Sequence, residues 1–191
     1  GADLNIDYQW KSCSINTKAN IGSNNGKKLQ DNQKIEVSNI KELSRRRLDH
    51  INSKIENIRV IKGTNFHYFS KESQAKFFKK EYSVTKLTDR MGMRLEGERL
   101  DNIINTNIKS EGLVKGVIQI PADGNPIIML ADHGTIGGYP KIATVISADF
   151  DKISQLTPGS KIKFKEVNLK DAETIFKLYE METNNIISKI L

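Results

Sequence analysis

The sequence predicts a mainly β fold, with a barrel-like core and helices at its periphery. Short runs rich in β-branched and apolar residues recur at close spacing between residues 58 and 167, which is typical of a small barrel. Two of these runs, 113–119 and 126–131, flank the dipeptide Asp123-Gly124. This dipeptide favours a hairpin, because glycine supplies the positive φ angle that a tight turn requires.

The other strands are predicted from local composition and from the turn residues around them. They cover residues 58–61, two segments on either side of Asp89-Arg90 within 82–95, and residues 142–146 and 161–167. Residues 1–34 are rich in turn-forming residues and predict loops. Residues 38–56 are polar and basic, and they predict either a helix that begins at Ser38 or a long linker.

Three helices are predicted outside the barrel strands. Ser70 is placed to cap a helix that ends near Lys80, because a serine hydroxyl accepts hydrogen bonds from first-turn amides. Residues 149–156 predict a short helix. From residue 169 onward, apolar residues at helical spacing predict a C-terminal helix with one apolar face, made of Ile175, Leu178, Met181, Ile186, Ile187 and Ile190. The chain is therefore divided into an N-terminal region with a linker (1–56), a barrel core (57–168) and this helix (169–191).

Composition narrows the class of protein. The chain has 191 residues, of which 37% are hydrophobic and 28% charged, as in globular rather than disordered proteins. The longest apolar run, 127–131, is far shorter than the roughly 20 residues of a membrane span, and no secretory signal is visible. A single cysteine, Cys13, excludes an internal disulfide and fits a reducing compartment. We therefore expect a cytoplasmic protein with no membrane partner.

The net charge of +7 raises the question of a nucleic-acid partner. The only tight basic run is Arg45-Arg46-Arg47, and no aromatic residue lies within it to stack on bases. The high content of Asn, Ile and Lys is also typical of AT-biased codons. We therefore expect no nucleic-acid partner. His50 and His67 lack the spacing of metal ligands, so no metal site is expected.

The loop from Ala131 to Lys141 carries the densest group of chemically useful residues. Its three glycines, at 134, 137 and 138, allow backbone amides to approach a ligand closely. Its polar side chains are an acid, a base, two hydroxyls and a cation: Asp132, His133, Thr135, Tyr139 and Lys141. Such a set suits general acid–base chemistry or the binding of a carboxylate and a carbonyl. The alternative is a glycine-rich turn with solvated polar side chains.

Two other segments carry polar residues that suit binding. Arg90 and Arg94 have the chemistry to bind a carboxylate or phosphate bidentately, or to form structural ion pairs with Asp89 and Glu96. Residues 110–112, Ser-Glu-Gly, precede the predicted hairpin. They form either a polar loop that faces the same site or a plain turn.

These segments, in this order, resemble one family: the carboxyltransferase-type proteins that include subunit 2 of allophanate hydrolase and the C-type subunit of 5-oxoprolinase. The resemblance spans nearly the whole chain and is densest from residue 82 to residue 166. The matching pieces are 89–92 with 94–97, 110–112 with Gly116 and 119–121, 124–127, Ala131-Asp132, 137–143, 145–149, and 156–159 with 162–164.

The resemblance implies a cyclophilin-like β-barrel and an enzyme assembled from several subunits. One branch of the family hydrolyses the cyclic amide 5-oxoproline to glutamate with ATP, beside a homologous B-type subunit and a third subunit. We expect this branch for the present chain, as a hydrolase subunit whose complex uses ATP. The alternatives are the carboxyltransferase domain of a biotin-dependent urea carboxylase and a non-catalytic partner of a homologous kinase-inhibitor subunit.

The resemblance and the loop chemistry together predict the site for a small amide or carboxylate substrate. Asp132 and Lys141 are the predicted catalytic residues, acting as polar binding groups rather than as nucleophiles. The predicted substrate-binding residues are Arg90, Gln119, His133, Thr135, Gly137, Gly138 and Tyr139.

Two departures from the family pattern affect these expectations. The family's N-terminal portion has no counterpart in this sequence, so we expect a fragment whose activity by itself is open. His133-Gly134 also stands where the family usually has Arg-Gln. This change removes a permanent cation and an amide from the predicted site.

Overall fold

The computed structural model describes residues 2–42, 57–104 and 107–188. The chain divides into two compact units, Gly1–Arg47 and Leu48–Leu191. Most of the segment predicted as a helix or linker, together with the basic run at 45–47, lies outside the described residues.

The N-terminal unit is loop-rich, as predicted. Its described residues, 2–42, contain four strands of two residues each: β1 (Asp3–Leu4), β2 (Ile15–Asn16), β3 (Ile21–Gly22) and β4 (Val37–Ser38). β1 pairs with β4 and β2 pairs with β3, both antiparallel. A short 3-10 turn at Asn24–Gly26 follows β3.

The second unit contains the barrel and its helices, and it confirms the mainly β fold. Its strands are β5 (Ile58–Lys62), β6 (Tyr82–Val84), β7 (Gly92–Glu96), β8 (Glu111–Gly112), β9 (Val117–Gln119), β10 (Ile127–Met129), β11 (Ile136–Gly137), β12 (Lys141–Val145), β13 (Lys161–Ile162) and β14 (Phe164–Glu166). The helices in its described residues are α1 (Lys71–Lys79), α2 (Ser147–Ser154) and α3 (Leu169–Ser188), with a 3-10 turn at Phe66–Tyr68.

Eight strands form one sheet, in the order β13-β6-β7-β10-β9-β12-β5-β14. The two end strands, β13 and β14, are separated in the chain by a single residue, Lys163. Its carbonyl accepts a hydrogen bond of 2.8 Å from the backbone N–H of Ile58, the first residue of β5. One short segment, 161–166, therefore pairs with both ends of the sheet and nearly closes it into a barrel.

The barrel interior is filled by alternate side chains of these strands and by α1. Ile58, Ile118 and Ile128 are fully buried. Phe77 of α1 stacks on Phe164 of β14, with ring centroids 4.5 Å apart and planes 14° apart. Because Phe164 lies in the closing segment, this contact links the helix to the closure of the barrel.

Two local predictions are confirmed. β9 and β10 form the predicted antiparallel hairpin, with Ile118 opposite Ile128, and Gly124 in its turn has φ of 76°. Ser70 caps α1, because its hydroxyl oxygen accepts a 3.1 Å hydrogen bond from the backbone N–H of Ser73.

The predicted C-terminal helix is confirmed, but its predicted apolar face is wrong in part. α3 packs against the rest of the unit through Ala172, Ile175 and Tyr179, which recur at helical spacing. Leu178 and Met181 lie off this face and are 60% and 68% exposed. Helical spacing alone could not identify the face, because the packing partner, α2, is a tertiary feature. Among the described residues, no helix is long and apolar enough to cross a membrane.

A buried ion pair fixes α2 to β5. The carboxylate of Asp149 is fully buried. Its Oδ2 accepts hydrogen bonds of 2.8 Å from both the backbone N–H and the Nε of Arg59. Burial by itself raises the pKa of Asp149, but the hydrogen bonds and the charge of Arg59 more than offset this effect and hold the pKa below its usual value.

The stacked ring of Phe164 leads to a stability prediction. We expect Phe164→Ala to lower the free energy of unfolding by about 3–5 kcal/mol, because it leaves a cavity beside Phe77 in the closing segment. Urea denaturation measures this change. Leu178→Ala is the control, since this side chain is exposed and its loss should cost within about 0.5 kcal/mol. Equal effects of the two substitutions would contradict the role of the closing segment.

The Asp149 ion pair predicts a dependence of stability on pH. Because its pKa is lower in the folded than in the unfolded chain, its stabilisation is present at neutral pH and is lost as pH falls through the folded-state pKa. We expect Asp149→Asn to cost about 2–4 kcal/mol at pH 7. Denaturation curves should show this difference shrinking below about pH 4. Glu173→Gln, an exposed change on α3, should give no such trend. A difference that is independent of pH would exclude a stabilising ionised Asp149.

Candidate functional site

Lys141 begins β12 at a β-bulge. It lies opposite Gln119 of β9, whereas Ala143 lies opposite Ile118, so the register shifts between these positions. Ile142 and Ala143 both belong to the barrel core. Two successive core residues break the in–out alternation of a strand, and the bulge thereby directs Lys141 to the outer face of the barrel.

A two-stranded ribbon, formed by β8 and β11, lies next to this outer face. Glu111 lies opposite Gly137, and Gly112 lies opposite Ile136. The following residue, Leu113, packs with Val117 of β9 and Met129 of β10 in a small apolar cluster separate from the barrel core. This cluster holds the ribbon against the barrel strands.

The ribbon brings a carboxylate to Lys141. The ammonium group of Lys141 forms an ion pair with the carboxylate of Glu111, and its Nζ lies 3.4 Å from the carbonyl oxygen of Gly112. The lysine side chain is 10% exposed and the glutamate side chain 40%. The hydrogen bond from Lys141 is the largest influence that lowers the pKa of Glu111. Glu111 and Gly112 thus form a strand, and the side chain of Glu111 pairs with Lys141.

Asn65 holds the backbone of Lys141. Its Oδ1 accepts a 3.0 Å hydrogen bond from the N–H of Lys141, and its own N–H donates a 3.2 Å hydrogen bond to the carbonyl of Lys141. Asn65 is 4% exposed. Sequence reasoning missed this residue. Its only local signal is the sequence Gly63-Thr64-Asn65 after a strand, which indicates a turn but not the strand that the turn contacts.

Gln119, which lies opposite Lys141, is in contact with both Tyr139 and Gly137. The side chain of Gln119 is buried, and its Nε2 donates a 2.9 Å hydrogen bond to the carbonyl of Tyr139. A Cβ atom on Gly137 would lie 2.8 Å from both Gln119 Nε2 and Leu113 Cδ1. A Cβ atom there would require the ends of these two side chains to shift, and both side chains are buried.

Asp132 and Arg90 form a separate ion pair at the surface. Arg90 Nε lies 2.6 Å from Asp132 Oδ2, and Arg90 Nη2 lies 3.0 Å from Oδ1. This hydrogen bonding holds the pKa of Asp132 below its usual value. Arg90 thus binds the carboxylate of Asp132, and the Oδ1 of Asp89 accepts from the backbone N–H groups of Met91 and Gly92. The Arg90 side chain is 78% exposed, so the pair contributes little to stability.

The other predicted loop residues lie along the exposed part of the loop. His133 is half-buried, and its Nδ1 lies 2.6 Å from the carbonyl oxygen of Gly134. The carbonyl of Thr135 accepts a hydrogen bond from the backbone N–H of Leu113. The Gly138 carbonyl accepts a 2.9 Å hydrogen bond from the N–H of Ile108.

Three cavities in the described part of the chain lie away from Lys141. One, of about 600 Å³, lies beside the first turns of α3. Another of about 580 Å³ lies in the N-terminal unit, and a third of about 290 Å³ lies between α2 and α3. Across residues 2–42, 57–104 and 107–188, no group of three His, Cys, Asp or Glu side chains is arranged to hold a metal ion.

The fold and the matching sequence define a carboxyltransferase-type domain. Residues 2–166 match the family described as carboxyltransferase domain, subdomain A and B, and the chain belongs to this family. The resemblance predicted from the motifs is thus confirmed.

Two curated relatives share 33% identity with the chain, and both are named as the C-type subunit of 5-oxoprolinase. The match to the Escherichia coli (strain K12) protein extends over 163 residues, or 84% of this chain and 52% of the relative. The match to the Haemophilus influenzae protein extends over 184 residues, or 92% of this chain and 57% of the relative. The chain therefore spans about half the length of these relatives.

Solved structures of urea-metabolising enzymes share the fold. Kluyveromyces lactis urea carboxylase superposes with a TM-score of 0.76 at 24% identity, covering 97% of this chain and 18% of that chain. Urea amidolyase from the same organism gives a TM-score of 0.75 at 24% identity, covering 97% of this chain and 13% of that chain.

The close approach at Gly137 leads to a prediction for the ribbon. We expect Gly137→Ala to push β11 away from Gln119 and Leu113, and so to increase amide hydrogen exchange at Leu113 and lower the melting temperature. Gly112→Ala is the matched control on the partner strand, because a Cβ there has no neighbour within 4 Å. If both variants exchange like the wild type, the ribbon does not depend on this contact.

Proposed function

We propose that this chain is the part of a 5-oxoprolinase that binds the amide group of 5-oxoproline while the complex hydrolyses it to glutamate with ATP. The identity to two subunits of that enzyme, 33% over most of this chain, supports this proposal. Water is consumed as the lactam C–N bond breaks, which leaves a carboxylate and an amino group on the product.

The observation that carries the proposal is the Lys141–Glu111 pair. It places a hydrogen-bond donor and a hydrogen-bond acceptor side by side, with Glu111 partly open to solvent. A lactam is a cis amide, so its C=O and N–H groups point to the same side of the ring. The carbonyl of such a group can accept from Lys141 while its N–H donates to Glu111. A simple carboxylate presents only acceptors and would be repelled by Glu111.

In this arrangement Lys141 acts as an electrostatic group rather than as a nucleophile. An ammonium next to the substrate carbonyl stabilises the negative charge that develops on its oxygen during hydrolysis. The side chain of Lys141 is only 10% exposed. Limited exposure to water strengthens the attraction between its ammonium and the substrate oxygen.

The other predicted residues have supporting roles in this proposal. Gln119 and Gly137 set the spacing between the ribbon and β9, and Tyr139 accepts from Gln119 through its carbonyl. Asp132, the other residue predicted as catalytic, is engaged by Arg90 and contributes as part of the loop that ends at Lys141.

The proposal requires partner subunits. The relatives are named as a subunit of 5-oxoprolinase, and we propose a homologous B-type subunit and a third subunit as partners. We assign the use of ATP to the complex as a whole.

A second candidate function is the carboxyltransferase step of a urea carboxylase-type enzyme. A putative urea carboxylase of Emericella nidulans is 27% identical over 124 residues, which are 60% of this chain and 10% of that protein. A ureido group also presents C=O beside N–H, so the Lys141–Glu111 pair suits this substrate class too. The two functions differ in the overall reaction and are separated by assay.

The test is ATP-dependent release of glutamate from 5-oxoproline by this chain co-expressed with the partner subunits. We expect Lys141→Met to lower turnover at least about 100-fold, because it removes the donor to the substrate carbonyl. Lys62→Met is the matched control, since Lys62 is half-exposed and pairs with Glu166 on a different strand pair. Wild-type turnover in the Lys141→Met complex would refute the assignment.

Two further measurements separate the candidate functions. Turnover that disappears when this chain is omitted supports the 5-oxoprolinase function. If the complex carboxylates urea and releases no glutamate from 5-oxoproline, the urea carboxylase-type function is supported instead.

A further inference from the structure

The cavity of about 290 Å³ between α2 and α3 has both charged and apolar walls. Its cationic lining residues are Lys152 of α2 and Arg59 of β5, and its carboxylate is Glu182 of α3. The remaining lining residues are apolar or aromatic: Ala148, Ile175, Leu178 and Tyr179. A cavity of this composition suits a small ligand that carries both charged and apolar groups.

The two cations of this cavity are held by one buried carboxylate. Asp149 Oδ2 accepts a 2.8 Å hydrogen bond from Arg59 Nε, and Lys152 Nζ lies 3.4 Å from Asp149 Oδ1. Asp149 also accepts from Arg59 Nη2, so the N–H groups on Nη1 are not used by this contact. Both cationic side chains are partly exposed, whereas the Asp149 side chain is fully buried. Two fixed cations that line one cavity suit the carboxylate of a ligand.

The balance of charge indicates that the ligand also carries a positive group. Arg59 and Lys152 contribute two positive charges, and Asp149 and Glu182 contribute two negative charges, so the sum is zero. A simple carboxylate would leave one unbalanced negative charge in a partly shielded site, whereas a zwitterion keeps the balance. Asp151 is not part of the lining, and its Oδ2 accepts a hydrogen bond from the hydroxyl of Tyr179.

The lining also limits the size and the side chain of the ligand. Ile175, Leu178 and Glu182 lie on successive turns of α3, so the cavity extends over about 10 Å along this helix. A volume of 290 Å³ holds about ten water-sized groups, which matches a small amino acid rather than a drug-sized ligand. Ile175 is half-buried and Leu178 is exposed. Contact with these residues favours an apolar side chain on the ligand.

We propose that this cavity binds the zwitterion of an α-amino acid with a short apolar side chain. Arg59 and Lys152 bind its carboxylate, Glu182 binds its ammonium group, and Ile175 and Leu178 contact its side chain. The cavity lies away from Lys141, and the proposal does not depend on the hydrolysis of 5-oxoproline.

The test is a titration of the full chain with L-leucine, followed by two-dimensional proton–nitrogen NMR. We expect shift changes that saturate and that are confined to α2, α3 and the first residues of β5. Two further probes keep the same apolar tail: 4-methylpentanoate lacks the amino group of leucine, and 3-methylbutylamine lacks its carboxylate. Each should bind the wild type at least about 5-fold more weakly than leucine, because one charged contact is lost.

Two substitutions test the charged ends of the ligand separately. Glu182→Gln should weaken leucine binding at least about 5-fold without weakening 4-methylpentanoate, which has no ammonium group. Lys152→Gln should weaken leucine binding at least about 5-fold without weakening 3-methylbutylamine, which has no carboxylate. The matched controls are Glu180→Gln and Lys177→Gln, at exposed positions of α3 that do not line the cavity. They should leave every Kd unchanged. Should Lys152→Gln fail to fold, the exposed Glu182 still provides the test.

The outcomes are separate from those of the 5-oxoprolinase assay. Weaker binding of leucine to Glu182→Gln, with binding of 4-methylpentanoate retained, supports the proposal even if the complex proves inactive on 5-oxoproline. Equal affinity of the wild type for leucine and 4-methylpentanoate would overturn the zwitterion. Shift changes in the N-terminal unit alone, or none at about 50 mM leucine, would overturn the cavity as the binding site, because a millimolar site would then be saturated.

Discussion

Closure of the barrel by the segment 161–166 is the constraint on which the rest of the second unit depends. β13 and β14 pair with opposite ends of the sheet although only Lys163 separates them in the chain. The stacking of Phe164 on Phe77 adds α1 to the same closure. Apolar side chains fill the interior of the barrel. Charged side chains of the strands therefore lie on the outer face, and the candidate site is on this face.

The site depends on three local departures from regular β structure. The bulge in β12 turns Lys141 outward, the close approach at Gly137 brings the ribbon against Gln119, and the turn at Asn65 completes the hydrogen bonds of Lys141. Bulges and close glycine contacts interrupt the regular hydrogen bonding between strands. Proteins commonly keep them where a side chain has to point in a particular direction. Their coincidence around one lysine is the physical basis for assigning a function to it.

Three ion pairs of the second unit differ in burial, and this difference separates their roles. The Arg59–Asp149 pair has a fully buried carboxylate and joins α2 to β5. The Arg90–Asp132 pair is exposed and is screened by solvent. The Lys141–Glu111 pair lies between these limits. Intermediate burial suits ligand binding. The charge of Lys141 is shielded from water and therefore interacts strongly, while its partner Glu111 remains accessible.

The sequence by itself determined the mainly β class, the hairpin at Gly124 and the cap at Ser70, because turn chemistry and strand composition act over a few residues. It also indicated the loop that ends in Lys141. Only the tertiary structure decided which residues meet that lysine. Asn65 and Glu111 are 76 and 30 positions away from Lys141 in the chain. Their approach depends on barrel closure, on a bulge and on ribbon pairing, which are non-local and leave no periodic signal in a single sequence. The same reason explains why the packed face of α3 could not be predicted from helical spacing.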